Sequence, residues 1–319
     1  MNRKGLLNSV YFIVFITTLL FILDVSISKI IPLNTGIKNY WIIEKKNTRY
    51  NKAFIGPSRV LHSIDGEIFS EQGKRKVINL GLSGVSYAEQ YLILRTFLSE
   101  NKNTLDELYI EVSYFNFIDP DSSFSYPFHE YYYFPFIKED YVSTIIQDNS
   151  KNSMKTLMWR YVPFIRYAEF NSEFRPLILF KNSYNESLNS SFDKYGTKYL
   201  YGIADTLKLQ SCYYHLNRMN EKTLSYLERM ILLARQEGAK VCLFSSPVFS
   251  KKVLYKGNAY INYKKCLTDI IAKHKVGYYD FENNASLSNI GYFEDYTHLN
   301  KNGAKAFSEV FAESISNEQ

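Results

Sequence analysis

The chain is 319 residues long, 46% hydrophobic and 17% aromatic, with a formal net charge of +6. That apolar content excludes a disordered chain, and the length is enough for one large core or two modest ones. Lysines and arginines are scattered rather than gathered in a stripe, which argues against a nucleic-acid footprint, although a mildly basic surface suits an anionic glycan or headgroup.

The three cysteines, Cys212, Cys242 and Cys266, have no metal-ligand spacing, and an odd number cannot complete a disulfide framework. Cys242 lies inside an apolar run and reads as a small core residue. The five histidines are not paired at helical or zinc spacing. Neither a metal nor a cofactor is expected.

At the N-terminus, Met1-Asn2-Arg3-Lys4 precedes an almost uninterrupted apolar segment from Leu6 to Leu23, closed by Asp24. This approaches the roughly 20 residues that cross a bilayer as a helix. The alternative is a cleavable signal peptide, whose apolar region is normally shorter and ends at a small-x-small site. Asp24-Val25-Ser26-Ile27-Ser28 supplies no good site, so residues 1–28 are read as an uncleaved single-pass anchor. Either reading sends the rest of the chain out of the cytoplasm, and Lys29, Lys38, Lys45 and Lys46 blunt the positive-inside signal. Residues 29–52 read as a linker.

From residue 53 to 319 strands and helices alternate. Expected strands are Ala53–Ile55, Val77–Leu80, Leu108–Val112, Lys240–Phe244 and Tyr278–Phe281. Tyr87, Tyr91, Leu94 and Leu98 recur at helical spacing, as do Leu224, Leu227, Ile231 and Ala234 before Gly238. The last helix starts after Asn300, a good N-cap, and turns Ala304, Phe307, Phe311 and Ile315 inward. Strands separated by helices imply an α/β domain with a mostly parallel sheet covered on both faces. Residues 114–214 break the alternation and are dense in aromatics, and they read as a mostly helical insertion.

Chemistry concentrates at two places. Phe54-Ile55-Gly56-Pro57-Ser58-Arg59 puts a serine on a strand-to-helix turn, and Asp295-Tyr296-Thr297-His298 feeds the last helix. Serine becomes a nucleophile when a base takes its proton, imidazole is that base near neutral pH, and a carboxylate orients the ring. Ser58, His298 and Asp295 are the candidates. Gly-Pro-Ser alone is a turn, and Asp-x-x-His alone occurs by chance; what favours a site is that each stands in a strand-loop-helix context, in the order of the family resemblance given next.

With Asn79-Leu80-Gly81-Leu82-Ser83-Gly84 between them, these blocks resemble the SGNH/GDSL hydrolase superfamily over about residues 53 to 315. Gly56-Pro57-Ser58-Arg59 is similar to the Gly-x-Ser-Arg variant of envelope and polysaccharide pathways. The resemblance implies a three-layer, flavodoxin-like sandwich with Ser58 as nucleophile. It implies an oxyanion hole from the Ser58 and Gly84 N–H groups and from Asn116, with Gly81 as a turn residue. The third block departs from the family's Gly-x-Asn-Asp: it reads Glu111-Val112-Ser113-Tyr114-Phe115-Asn116, so Asn116 stands near that place rather than on it. Arg59 would bind an anionic substrate or form a structural salt bridge.

The function so implied is a membrane-anchored, extracytoplasmic serine esterase or O-acyltransferase. Its substrate would be an acyl, most simply acetyl, ester of an envelope or secreted polysaccharide. A membrane acyltransferase would be a fitting partner. The insertion's aromatics would serve as a glycan platform or as packing. The alternative class is a non-catalytic SGNH-like scaffold that binds glycan or assembly partners.

Overall fold

The computed structural model describes residues 3–34, 36–71, 73–102, 104–117, 129–149, 153–172, 192–205, 212–214, 221–249, 253–255 and 258–317. Its strands are β1 (Tyr50–Ile55), β2 (Val77–Asn79), β3 (Leu105–Glu111), β4 (Cys212–Tyr214), β5 (Lys240–Ser245), β6 (Val253–Tyr255) and β7 (Gly277–Asp280). The α-helices are α1 (Arg3–Ile30), α2 (Lys38–Glu44), α3 (Ser58–Ser63), α4 (Gly66–Phe69), α5 (Tyr87–Glu100) and α6 (Tyr114–Phe117). They continue as α7 (Asp140–Asn149), α8 (Ser153–Tyr161), α9 (Ile165–Glu169), α10 (Glu221–Gln236), α11 (Ala259–His274) and α12 (Lys301–Ser316).

Five strands form one sheet in the order β2-β1-β3-β5-β7, every neighbouring pair parallel. The register sets Ala53 opposite Ile78 and Leu108, and Leu243 opposite Tyr278. This is a doubly wound α/β sheet, and its direction of winding reverses between β1 and β3. Such sheets bind ligands at the carboxyl ends of the strands at that reversal. β4 and β6 form a separate parallel pair.

Side chains alternate faces along a strand. Phe54, Tyr109, Cys242, Phe244 and Tyr279 share a cluster with Phe307, Phe311 and Ile315 of α12. Aromatic rings fill that layer: Phe54 stacks on Tyr109 with ring centroids 5.0 Å apart, and Phe244 lies tilted against Phe311 at 4.9 Å. The intervening Ala53, Leu108, Ile110 and Leu243 are buried on the opposite face, and α5 packs on α10. The expected α/β architecture, parallel sheet and final helix are thus present.

The chain divides into two compact units, Met1–Trp41 with Phe128–Ser190, and Ile42–Pro127 with Ser191–Gln319. The sequence reading set its boundaries at 28, 52, 114 and 214. Its linker contains α2 and the first residues of β1. Within the first unit, α1 is long and apolar enough to cross a membrane. Tyr40 packs edge-on against Tyr132, Asn39 Nδ2 donates to Tyr133 Oη at 2.9 Å, and Phe134, Trp159 and Phe170 form a small aromatic core.

Candidate active site

β1 carries the first half of the site. Its last residue, Ile55, is followed by Gly56, where a Cβ would come within 2.4 Å of Val60 and 2.7 Å of Glu111. Only glycine lets the chain turn that tightly over β3. Pro57 then caps α3 in extended conformation, and Ser58 is the helix's first residue. Ser58 therefore stands beyond the carboxyl end of β1, at the winding reversal, with its N–H among the free donors of a first helical turn.

The second half is a loop closed on itself. Phe293 and Leu299 form an antiparallel bridge, and Glu294 N–H donates to the His298 carbonyl at 2.9 Å. Asp295 Oδ1 accepts from the N–H groups of Thr297 (2.7 Å) and His298 (2.8 Å). At the loop's exit Asn300 caps α12 by accepting from Gly303 N–H at 3.1 Å, while its amide donates to the carbonyls of Gly202 and Gly291.

These halves meet. Ser58 Oγ lies 2.7 Å from His298 Nε2, and His298 Nδ1 lies 2.7 Å from Asp295 Oδ2. All three side chains are half-buried, so the array is open to solute. Burial opposes ionisation of Asp295, but the His298 hydrogen bond and charge, with the Thr297 and His298 N–H groups, hold its carboxyl down at about 2. An ionised Asp295 only accepts, so Nδ1 carries the imidazole proton and Nε2 presents its lone pair to Ser58. That is the arrangement a general base requires.

Gly84 lies on the loop after β2, half-buried, at φ +69°, with open space where a Cβ would be. Gly81 is a turn residue: its N–H donates to Asn79 Oδ1 at 2.8 Å, and a Cβ would strike the Leu61 backbone. Asn116 belongs to α6, but its side chain lies outside the described residues. Arg59 is only 5% exposed. Its Nη1 lies 3.4 Å from Glu111 Oε1, and its Nη2 donates to the Ser246 and Pro247 carbonyls. Of the two roles expected of it the structure displays the internal ion pair; the guanidinium is not presented to a substrate. No cluster of potential metal ligands occurs among the described residues.

Three residues around the array went unread in the sequence. Glu111, at the end of β3, is fully buried; burial pushes its carboxyl up, while Arg59 and Ser246 pull it back. Asn79 Nδ2 donates to the Val60 carbonyl at 2.9 Å and Thr197 Oγ1 at 3.1 Å, tying β2 to α3. His62 sits one helical turn after Ser58, its ring edge-on to His298 at 5.8 Å between centroids. Its Nδ1 bonds the Lys198 carbonyl at 2.5 Å. Burial, with the neighbouring His298 charge, lowers its pKa to about 4 against that hydrogen bond. The four-residue spacing from Ser58, about one helical turn, is the signal that would have marked it.

One protein-family model matches residues 176–319, less than half of the chain; the stretch includes Asp295 and His298 but not Ser58. No curated protein matches. Among solved structures the chain is similar to a protein from Bacteroides fragilis described as a candidate acylhydrolase. The identity is 12% and the TM-score 0.42, over 86% of this chain and 93% of that one. A likeness at that level leaves function to the geometry of the site.

Proposed function

We propose that the chain is a membrane-anchored serine esterase or O-acyltransferase of SGNH type. Its substrate would be an acyl ester, most simply acetyl, of an envelope or secreted polysaccharide. The observation that carries this reading is the continuous hydrogen-bond chain Ser58–His298–Asp295, 2.7 Å at each link. In this reading Ser58 Oγ attacks the acyl carbonyl and its proton passes to His298 Nε2. The tetrahedral oxyanion is received by the N–H groups of Ser58 and Gly84 with Asn116, and collapse returns the proton to the departing alkoxide. Water or a sugar hydroxyl then attacks acyl-Ser58, His298 taking its proton, and Ser58 is released with a carboxylic acid or a new ester.

Anchoring is supported by α1, whose apolar stretch from Leu6 to Leu23 rises about 27 Å at 1.5 Å per residue, close to the roughly 30 Å hydrocarbon thickness. The catalytic unit would stand outside the cytoplasm. The test is labelling of detergent-solubilised full chain by a fluorophosphonate, with Ser58→Ala as the control. Labelling of the native chain, its loss in the variant, and a fall of several orders of magnitude in acetyl-ester turnover are expected. A native chain that folds but neither labels nor turns over ester would favour the non-catalytic scaffold.

A further inference from the structure

In a water-exposed helix the outward positions are ordinarily polar. Helix α8 reverses this. Thr156 and Trp159 point inward and are buried. The outward positions are Met154, Leu157, Met158, Tyr161 and Val162, spaced i, i+3, i+4, i+7 and i+8, and all are exposed, Met154 to 65% and Tyr161 to 69%. Contiguous apolar surface of this kind marks a site that something covers.

What covers it follows from where α8 is tied. Immediately after Val162 the chain turns through Pro163 to Phe164, whose φ is +69°. Phe164 N–H donates to Asp24 Oδ1 at 2.9 Å, and Arg166 Nη2 donates to Asp24 Oδ2 at 2.8 Å. Asp24 and Arg166 are each 1% exposed. Ser28 Oγ adds contacts to Arg166 Nη2 and Tyr167 Oη. Asp24 is the residue that closes the apolar stretch of α1, which sets it at the edge of the hydrocarbon. The carboxyl end of α8 is therefore held at that level. Lys138 agrees: its ammonium lies over the Phe21 ring at 5.0 Å and 3.9 Å from Asp24 Oδ2, an aliphatic stem along apolar surface with its charge at the edge.

We propose that the outward face of α8 is a membrane-surface element, seated in the same leaflet that receives the Asp24 end of α1. It rests on the anchoring of α1 proposed above. Met154, Leu157, Met158 and Val162 enter the boundary between headgroups and acyl chains, about 5–10 Å deep, as interfacial helices do. Tyr161 stands at the aromatic-rich headgroup level. The helix's cations are engaged, Lys155 with Glu169 and Arg160 with Asp140; apolar burial rather than headgroup charge is the attraction. The Asp24–Arg166 pair also makes α1 part of the folded unit, since removal of α1 would leave a buried guanidinium without its carboxylate.

The test is nitroxide labelling of the full-length chain in zwitterionic phosphatidylcholine vesicles, one cysteine at a time, at Met158→Cys, Phe12→Cys and Glu313→Cys. Phe12 lies within the apolar stretch, and Glu313 is an exposed position on α12. Reactive native cysteines are replaced by serine. Accessibility to oxygen relative to a water-soluble nickel chelate is read at each site. Expected is a ratio at Met158 several-fold above that at Glu313, below that at Phe12, and falling towards the Glu313 value in detergent-free lipid when Leu157 and Tyr161 are also changed to Ser. A lipid-like ratio at Phe12 with a water-like ratio at Met158 overturns this inference alone. A water-like ratio at Phe12 overturns the anchoring itself. Dipolar broadening between Met158 labels on separate chains, with low access to both relaxants, overturns the lipid assignment in favour of a second copy of this chain.

Discussion

Replacing Asp295 with Asn tests the array at its most informative point, because the change is nearly isosteric and alters one proton. Oδ1 keeps the two backbone N–H groups at 2.7 and 2.8 Å. The amide nitrogen then takes the place of Oδ2, 2.7 Å from His298 Nδ1. A donor facing a donor forces Nδ1 to give up its proton, and the imidazole takes the tautomer with N–H at Nε2. That N–H points at Ser58 Oγ and cannot accept from it. The wrong tautomer costs about 10⁴-fold in kcat in triad hydrolases, equivalent to about 5 kcal/mol of activation energy. The assay is initial-rate hydrolysis of p-nitrophenyl acetate, with circular dichroism confirming the fold. The variant should also lose an acid limb of stability. The depressed Asp295 carboxyl contributes stability present above its ordinary value of 3.8 and lost as pH falls towards about 2. A folded Asp295→Asn enzyme retaining more than a tenth of native kcat would refute the assignment of Asp295 as orienter of the base.

Three further outcomes follow from the same neighbourhood. Arg59→Met strips the buried Glu111 of its cation and should cost about 3–5 kcal/mol in urea unfolding, as broken buried pairs do. A loss below 1 kcal/mol would place the guanidinium elsewhere. His62→Leu should flatten a pH dependence of stability. With its folded value lowered to about 4 against 6.5 unfolded, native His62 leaves stability full above 6.5 and eroded, by up to about 3 kcal/mol, as pH falls to 4. Matching unfolding profiles of native and variant chains between pH 7 and 4 would count against its burial as neutral imidazole. Phe311→Ala opens the centre of the aromatic layer, where Phe54, Tyr109, Phe244 and Phe281 all lie within 6 Å between centroids. A loss of about 3–5 kcal/mol is expected from thermal or urea melts.

The strands β1 and β3 of the main sheet were legible in their apolar carboxyl halves and missed at their starts, while the short apolar pair β4 and β6 went unexpected. The sequence reading started β1 at Ala53 and β3 at Leu108, whereas they begin at Tyr50 and Leu105. The missed residues pair with one another. Lys52 stands opposite Glu107 in register, with Nζ and Oε2 3.8 Å apart, and Asn51 Nδ2 donates to Asp106 Oδ2 at 2.7 Å. Apolar alternation, the pattern that finds half-buried strands, is blind to a strand end stabilised by cross-strand polar pairs. Helix α12 was legible to its N-cap because Asn300 and the Ala304, Phe307, Phe311, Ile315 stripe are local signals.

The candidate site divides along the same line. Asp295 and His298 are three residues apart, so their contact is within reach of local reasoning. Ser58 lies 240 residues from His298, and composition and spacing could not join them without the family resemblance. Glu111 was placed inside the third expected strand and given no role of its own; its ion pair with Arg59 exists because parallel pairing of β1 with β3 brings their carboxyl ends together. Asp24 read as the close of a membrane stretch, and its partner Arg166 is 142 residues away. A buried charge is costly without its partner, so each of these residues breaks the local pattern where it stands and is compensated by a segment that only the fold brings near. Such breaks surround Ser58 and fasten α1, and there local pattern, which ranks residues by their neighbours in the chain, had least to say.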